Sequence, residues 1–128
     1  MNEESTLAYA GLKVIDASQG LAGPYCATLL AQHGAEVIKI EPPDGDLTRF
    51  ANPRVASLST YFVQQNVGKR CISIDLATEE GGDILRRLAD RSDVLLENYR
   101  PGVMDRLGLG PSTRSEEHTS ELQSRQYL

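Results

Sequence analysis

The sequence predicts an α/β fold, a parallel sheet with helices on both faces, and three observations carry that expectation. Residues 11–41 read GLKVIDASQGLAGPYCATLLAQHGAEVIKIE: strand, glycine turn, helix and strand within about thirty residues, the size of one βαβ unit. A second strand–helix–strand pattern spans residues 71–97. Apolar runs of strand length thus alternate with helical spacing, which builds a parallel sheet covered by helices with right-handed crossovers.

The elements follow in order. Lys13–Asp16 is a short apolar strand. A helix runs from about Pro24 to Gln32, with proline suited to its first turn and Gly34 just past its end. Its body is small or apolar nearly all round, the pattern of a buried helix. Glu36–Ile40 is the second strand, stopped by Pro42 and Pro43. Residues 44–66 are the least regular part, with a turn over Gly45–Arg49 and a short helix over Ser59–Gln65. Cys71–Leu76 forms a third strand. Thr78 caps the next helix, and Glu79 and Glu80 complement its electropositive first turn. Gly81, Ile84, Leu85 and Leu88 share one face, while Gly81 and Gly82 each weaken the helix by about 1 kcal/mol relative to alanine. Val94–Glu97 is the fourth strand, Asn98–Gly102 a turn and Val103–Leu107 a helical stub.

A chain of 128 residues forms one domain at most. Its net charge of −5 argues against nucleic acid or an anionic membrane as partner. Cys26 and Cys71 form no pair motif, so neither a disulfide framework nor a zinc site is expected, and both read as small buried hydrophobes. The opening MNEESTLAYAG is acidic and lacks the apolar run of a secretory signal, and no stretch is long enough to cross a bilayer; a cytoplasmic location is expected. From Arg114 the text changes character. Arg114–Ser124, RSEEHTSELQS, matches a reading-frame translation of a common sequencing-library adapter. Residues 114–128 are therefore expected to be an artefactual, disordered tail rather than a genuine polar C-terminus. Residues 1–113 are then the N-terminal part of a larger domain, incomplete in this chain, with an edge strand and apolar surface left uncovered.

The turn Gln19–Gly23 follows the first strand and feeds the helix, where backbone N–H groups favour anions. Gly20-x-x-Gly23 is not the dinucleotide fingerprint, and Val67-Gly68-Lys69-Arg70 is not a phosphate-binding lysine motif. From spacing alone, a packing turn and a ligand turn remain equal. Lys69 and Arg70 precede a strand, either as a solvated entrance or as phosphate contacts. Asn98 and Tyr99 lie just beyond a strand's carboxyl end, the ligand edge of open α/β sheets. If their strands are neighbours, Gln19, Gly20, Lys69, Asn98 and Tyr99 converge there and suit a nucleotide-containing ligand. The aspartates have structural explanations as strand ends, turns and caps. His33 suits a helix C-terminus.

Three segments together, GLKVIDASQGLAGPYCATLLAQHGAEVIKIEPPDGDLTR, NVGKRCISIDLATEEG and RSDVLLENYRPGVMDRLGLG, resemble the opening of the family III CoA-transferases over Gly11 to Gly110. That family includes formyl-CoA and carnitine-CoA transferases, with α-methylacyl-CoA racemase as a relative. The resemblance implies a Rossmann-like domain followed by a second domain, and two full-length chains interlocked as a homodimer. It implies that coenzyme A, a substrate rather than a resident cofactor, is held by Gln19, Gly20, Leu21, Lys69, Asn98, Tyr99 and Arg106. Some members carry an arginine where this chain has Pro42, with Arg49 or Arg54 as candidate replacements. The family's aspartate nucleophile lies beyond the matched segment, so no catalytic residue and no metal ligand is expected here. The implied substrates are an acyl-CoA donor and a carboxylic acid acceptor. Two other functions compete: an acyl-CoA racemase, which moves an α-proton and which residues 91–97 and 102–104 also resemble, and a non-enzymatic α/β interaction module, which needs an acidic cluster such as Asp16 and Asp75 at the sheet edge. The ordered run of motifs argues against the interaction module, and the transferase is favoured over the racemase, from which it differs in residues beyond the matched segment, a nucleophilic aspartate against a His/Asp acid–base pair.

Overall fold

The computed structural model describes residues 6–110; residues 114–128, expected to be an artefactual tail, lie outside them. β1 (Lys13–Asp16) lies between β2 (Glu36–Glu41) and β6 (Val94–Leu96), and β5 (Arg70–Ser73) pairs with the far side of β2. All pairings are parallel, in the order β5-β2-β1-β6. The register sets Val14 beside Val37 and Val94, and Ile15 beside Ile38 and Leu95.

Side chains alternate across a strand, so each face acquires its own core. Val14, Val37 and Leu96 pack with Ala27 and Ala35 under α1 (Ala22–Gln32). Ile15, Ile40 and Leu95 pack with Leu85 and Ala89 of α3 (Glu79–Asp90) and Met104 of α4 (Val103–Arg106). Helices cover both faces, as the sequence predicts.

α1 ends where expected. Gly34 takes φ +104°, its N–H bonds to Ala31 O, and the Ala35 N–H bonds to Leu30 O, the paired bonds of a left-handed helix stop. Its burial differs from expectation. Gly23, Pro24, Ala27 and Thr28 are buried, but Leu21, Tyr25 and Leu29, spaced four apart, form an outward stripe. The helix packs on the sheet and on α2 (Thr60–Asn66), where Thr28 Oγ1 donates to Gln65 O at 2.5 Å. Two contacts cover two sides of a cylinder, and its third side faces out.

The irregular middle holds more structure than its sequence announces. Asp46 caps a 3-10 turn at Leu47–Phe50, accepting from Thr48 N at 2.8 Å. An antiparallel hairpin, β3 (Arg54–Val55) and β4 (Leu58–Ser59), leads into α2, which Ser59 caps. Two-residue strands are too short to show a period. β5 starts and stops earlier than the expected third strand, because Asp75 leaves the ladder to form the turn before α3. All four of its residues are exposed, so Cys71 sits on an open edge strand rather than in a core, and Cys26 is only half-buried.

Thr78 caps α3 as expected, accepting from Gly81 N at 3.0 Å. Gly81 is more than a weak helix former. A Cβ built there would lie 1.8 Å from Asp75 O, so the first turn approaches the preceding loop closer than any side chain permits. Gly81→Ala should therefore lower stability by about 1–3 kcal/mol through overpacking, despite the gain in helix propensity. Urea unfolding checks this, and an unchanged or raised midpoint would show that the turn has room for a methyl group.

A candidate ligand site at the carboxyl edge of the sheet

Parallel strands deliver their outgoing loops to one edge. Here those loops surround a cavity of about 700 Å³. Gln19 enters from β1, Glu41, Pro42 and Pro43 from β2, Asp75–Thr78 from β5, and Tyr99 from β6, while Arg86 of α3 and Arg106 of α4 close one side. Ile40, Ile74 and Leu107 contribute apolar wall.

β1 and β6 are neighbours, so their loops meet. Asn98 grips the Gln19 backbone twice: Gln19 N donates to Asn98 Oδ1 at 3.0 Å, and Asn98 Nδ2 donates to Gln19 O at 2.7 Å. Gly20 adopts φ +86°, and Gly23 has to be glycine because a Cβ would fall 2.3 Å from Ser18 Cβ. The loop is thus folded tightly back on itself before α1 begins. Tyr99 is half-buried, and its phenol is pushed up to about 12, first by burial and then by the charges of Asp16 and Glu97, with the Gln19 side chain pulling the other way. It therefore remains a neutral, flat hydrogen-bonding wall.

Arg86 is held by its own contacts, Nη1 donating to Leu107 O at 2.7 Å and Nη2 to Asp83. Arg106 is exposed and lines the cavity. On the opposite wall, Glu41 is matched by Arg49, whose Nε and Nη2 reach its two oxygens at 2.6 and 2.7 Å, and by the Asp46 N–H at 3.0 Å. Burial alone would raise the Glu41 pKa. The bonds from Arg49 and Asp46 N outweigh that and hold it below the ordinary carboxylate value. The Arg49 guanidinium also lies 3.8 Å over the Phe62 ring. Arg54 is turned to Ser57 O in the hairpin. Neither arginine lines the cavity beside Pro42, so that stretch of wall is proline.

The structure brings Gln19, Tyr99 and Arg106 to one cavity, with Asn98 holding Gln19 in place. Gly20 and Leu21 adjoin it in the loop without lining it, and the Leu21 side chain points outward. Lys69 is placed elsewhere. It enters from the start of β5, two strands from β1, and its side chain is fully enclosed. Its Nζ donates to Asp16 Oδ2, Pro24 O and Asn66 Oδ1, each at 2.8 Å, and to Gln65 O at 3.2 Å. Burial lowers its pKa and the Asp16 carboxylate opposes that. Lys69 is therefore neither a solvated strand entrance nor a member of the cavity wall. Sequence reasoning passed over Arg86, the two prolines and the β5–α3 loop. The usable signal was the rule that every strand's outgoing loop faces the ligand edge, applied to all four strands rather than two.

The described geometry matches known proteins. A family model described as CoA-transferase family III matches residues 9–119. The succinyl-CoA–L-malate CoA-transferase beta subunit of Chloroflexus aurantiacus is 41% identical over 108 residues, covering 83% of this chain and 27% of that protein. The acetyl-CoA:oxalate CoA-transferase of Acetobacter aceti is 48% identical over 101 residues, covering 78% and 26%. A crystal structure of a CAIB/BAIF family protein from Brucella suis superposes with a TM-score of 0.80 at 39% identity, covering 87% of this chain and 31% of that one. The chain thus spans about a quarter to a third of the length of the proteins it matches.

Two outcomes follow from the geometry of the wall. Asn98→Ala removes two hydrogen bonds worth about 1 kcal/mol each, so stability from urea unfolding falls by about 2 kcal/mol; a fall below a quarter of that would mean the loop holds itself. Glu41 has a depressed folded pKa, so its contribution is complete above the ordinary carboxylate value and fades as pH falls through the folded one. The urea midpoint of the wild type should exceed that of Glu41→Gln at pH 7, with the gap closing at acid pH; a gap constant with pH would remove the ion pair as its cause.

Proposed function

From the premise that this chain belongs to CoA-transferase family III, we propose that it carries the nucleotide-binding part of an enzyme that moves coenzyme A between an acyl-CoA donor and a carboxylic acid. The observation that supports this most is the cavity at the carboxyl edge, where a neutral tyrosine and two prolines meet two arginines. Tyr99, Pro42 and Pro43 offer flat and apolar surface to an adenine ring. Arg106 and Arg86 face the phosphates, which a chain of net charge −5 binds only where cations are gathered locally. Gln19 meets the same ligand from the β1–α1 loop, and Gly20 and Leu21 adjoin it at the start of α1. Asn98 and Lys69 act on that loop from behind.

The group transfer itself needs a carboxylate nucleophile. In this proposal an aspartate outside residues 1–128 attacks the donor thioester, expelling the CoA thiolate and forming a mixed anhydride. The thiolate then attacks the aspartyl carbonyl, releasing the donor acid and leaving an aspartyl-CoA thioester for the acceptor carboxylate to open. Of the carboxylates lining the cavity, Glu41 is paired with Arg49, Asp75 accepts from the Ala77 N–H in the turn before α3, and Glu79 lies in the first turn of α3. The full-length protein is proposed to be an interlocked homodimer.

Isothermal titration of the chain with CoA should show binding, and Arg106→Ala should weaken it about tenfold, the loss of one charge-assisted hydrogen bond. An unaltered affinity in Arg106→Ala would remove that residue from the site. The chain alone, incubated with an acyl-CoA and a labelled carboxylate, should transfer no CoA; exchange above the blank would place the nucleophile within it.

A further inference from the structure

On the α1 side of the sheet, behind the cavity, lies a closed group of four charges. Asp16, Lys39, Asp46 and Lys69 have side chains with no exposure at all. Asp16 and Lys39 are register partners on β1 and β2 and so share that face. Lys69 Nζ lies 2.8 Å and Lys39 Nζ 4.0 Å from Asp16 Oδ2, and Lys39 Nζ lies 3.0 Å from Asp46 Oδ2. Two positive and two negative groups leave the cluster neutral.

Stability is a weak reason for such a group. Each buried ion carries a desolvation penalty of several kcal/mol, and apolar replacements of whole ion pairs are often neutral or stabilising. What the group holds is more informative. Lys39 Nζ donates to Ser18 O at 3.0 Å, at the entry to the β1–α1 loop. Lys69 Nζ donates to Pro24 O at 2.8 Å, at its exit. Asp16 accepts from Ser18 N at 3.0 Å and from Ser18 Oγ. Both ends of the loop bearing Gln19, Gly20 and Leu21 are therefore tied to one buried cluster. Lys69 also joins the loop to α2 through Gln65 O and Asn66 Oδ1. Asp46 continues the chain outward, its N–H bonding Glu41 on the cavity wall.

We propose that Lys39 and Lys69 are positioning residues: they lock the Ser18–Pro24 loop in its ligand-ready shape, and so set affinity for CoA without touching it. The proposal rests on the cavity being the CoA site. Asn98 grips the loop at Gln19 alone, and the lysines hold its two ends. Without them the loop keeps its middle clamp and loses its angle of entry into α1.

The test removes charges in opposite pairs, so that no buried ion is stranded: Asp16→Asn with Lys69→Met, and separately Lys39→Met with Asp46→Asn, both in the full 128-residue chain. Three measurements are compared with wild type and with Arg106→Ala: urea midpoint, amide hydrogen exchange of Ser18, Gln19 and Gly20 against Val14 and Ile15, and CoA affinity by titration. The expected result is a urea midpoint near wild type, loop exchange accelerated tenfold or more with strand exchange unchanged, and CoA binding weakened at least fivefold. Arg106→Ala should weaken binding with loop exchange unchanged. Wild-type loop exchange and affinity in both pair variants would overturn the proposal while leaving the CoA site standing. Faster loop exchange in a chain whose wild type binds no CoA would instead fail the CoA reading and leave the lock. Unfolding of both pair variants would also overturn the proposal, making the cluster a requirement of the fold.

Discussion

The Asp16 carboxylate is the constraint on which the rest of this structure leans. It sits at the tip of the central strand with no exposure, where an unpaired charge would be untenable. Two lysines from different parts of the chain must come to it, Lys39 from the adjoining strand and Lys69 from the entry to the edge strand. Bringing Lys69 inward carries α2 against α1, because the same ammonium bonds carbonyls on both helices. One buried charge thereby ties the β1–α1 loop, α1 and α2 to a single point.

Close backbone approach marks the entrances of α1 and α3. Gly23 lets α1 begin against Ser18, and Gly81 lets α3 begin against the Asp75 carbonyl. Both helices therefore start tight against the strand loops. The sheet then separates two environments: closed ion pairs under α1, and an open cavity between the strand tips, α3 and α4. Glu41 stands at the boundary, tied through the Asp46 N–H to the buried side and facing the open side.

The surface carries apolar groups that this architecture leaves outside its two cores. Leu47, Phe50, Val55 and Leu58 around the hairpin and the Leu21–Tyr25–Leu29 stripe on α1 are exposed, and β5 is bare along its whole length. In proteins such surface is ordinarily covered by further structure. The proteins this chain matches are about three times its length. Both observations agree with a segment built to pack within a larger whole.

The sequence by itself determined the strand–helix alternation, the stop of α1 at Gly34 and the start of α3 at Thr78, since these follow from local periodicity and local caps, whereas the meeting of Gln19 with Asn98 also needed β1 and β6 to be neighbours in the sheet. Only the tertiary structure decided where Lys69 points. A lysine before a strand looks the same in sequence whether it faces water, phosphate or a buried aspartate 53 positions away, because that choice depends on the strand order β5-β2-β1-β6 and on the closure of α2 over it. The same holds for Arg86, which reads as an ordinary helix-surface arginine until α4 folds back and makes it a wall of the cavity. Local signals fix elements; the partner of a long charged side chain is fixed by what the fold packs against it.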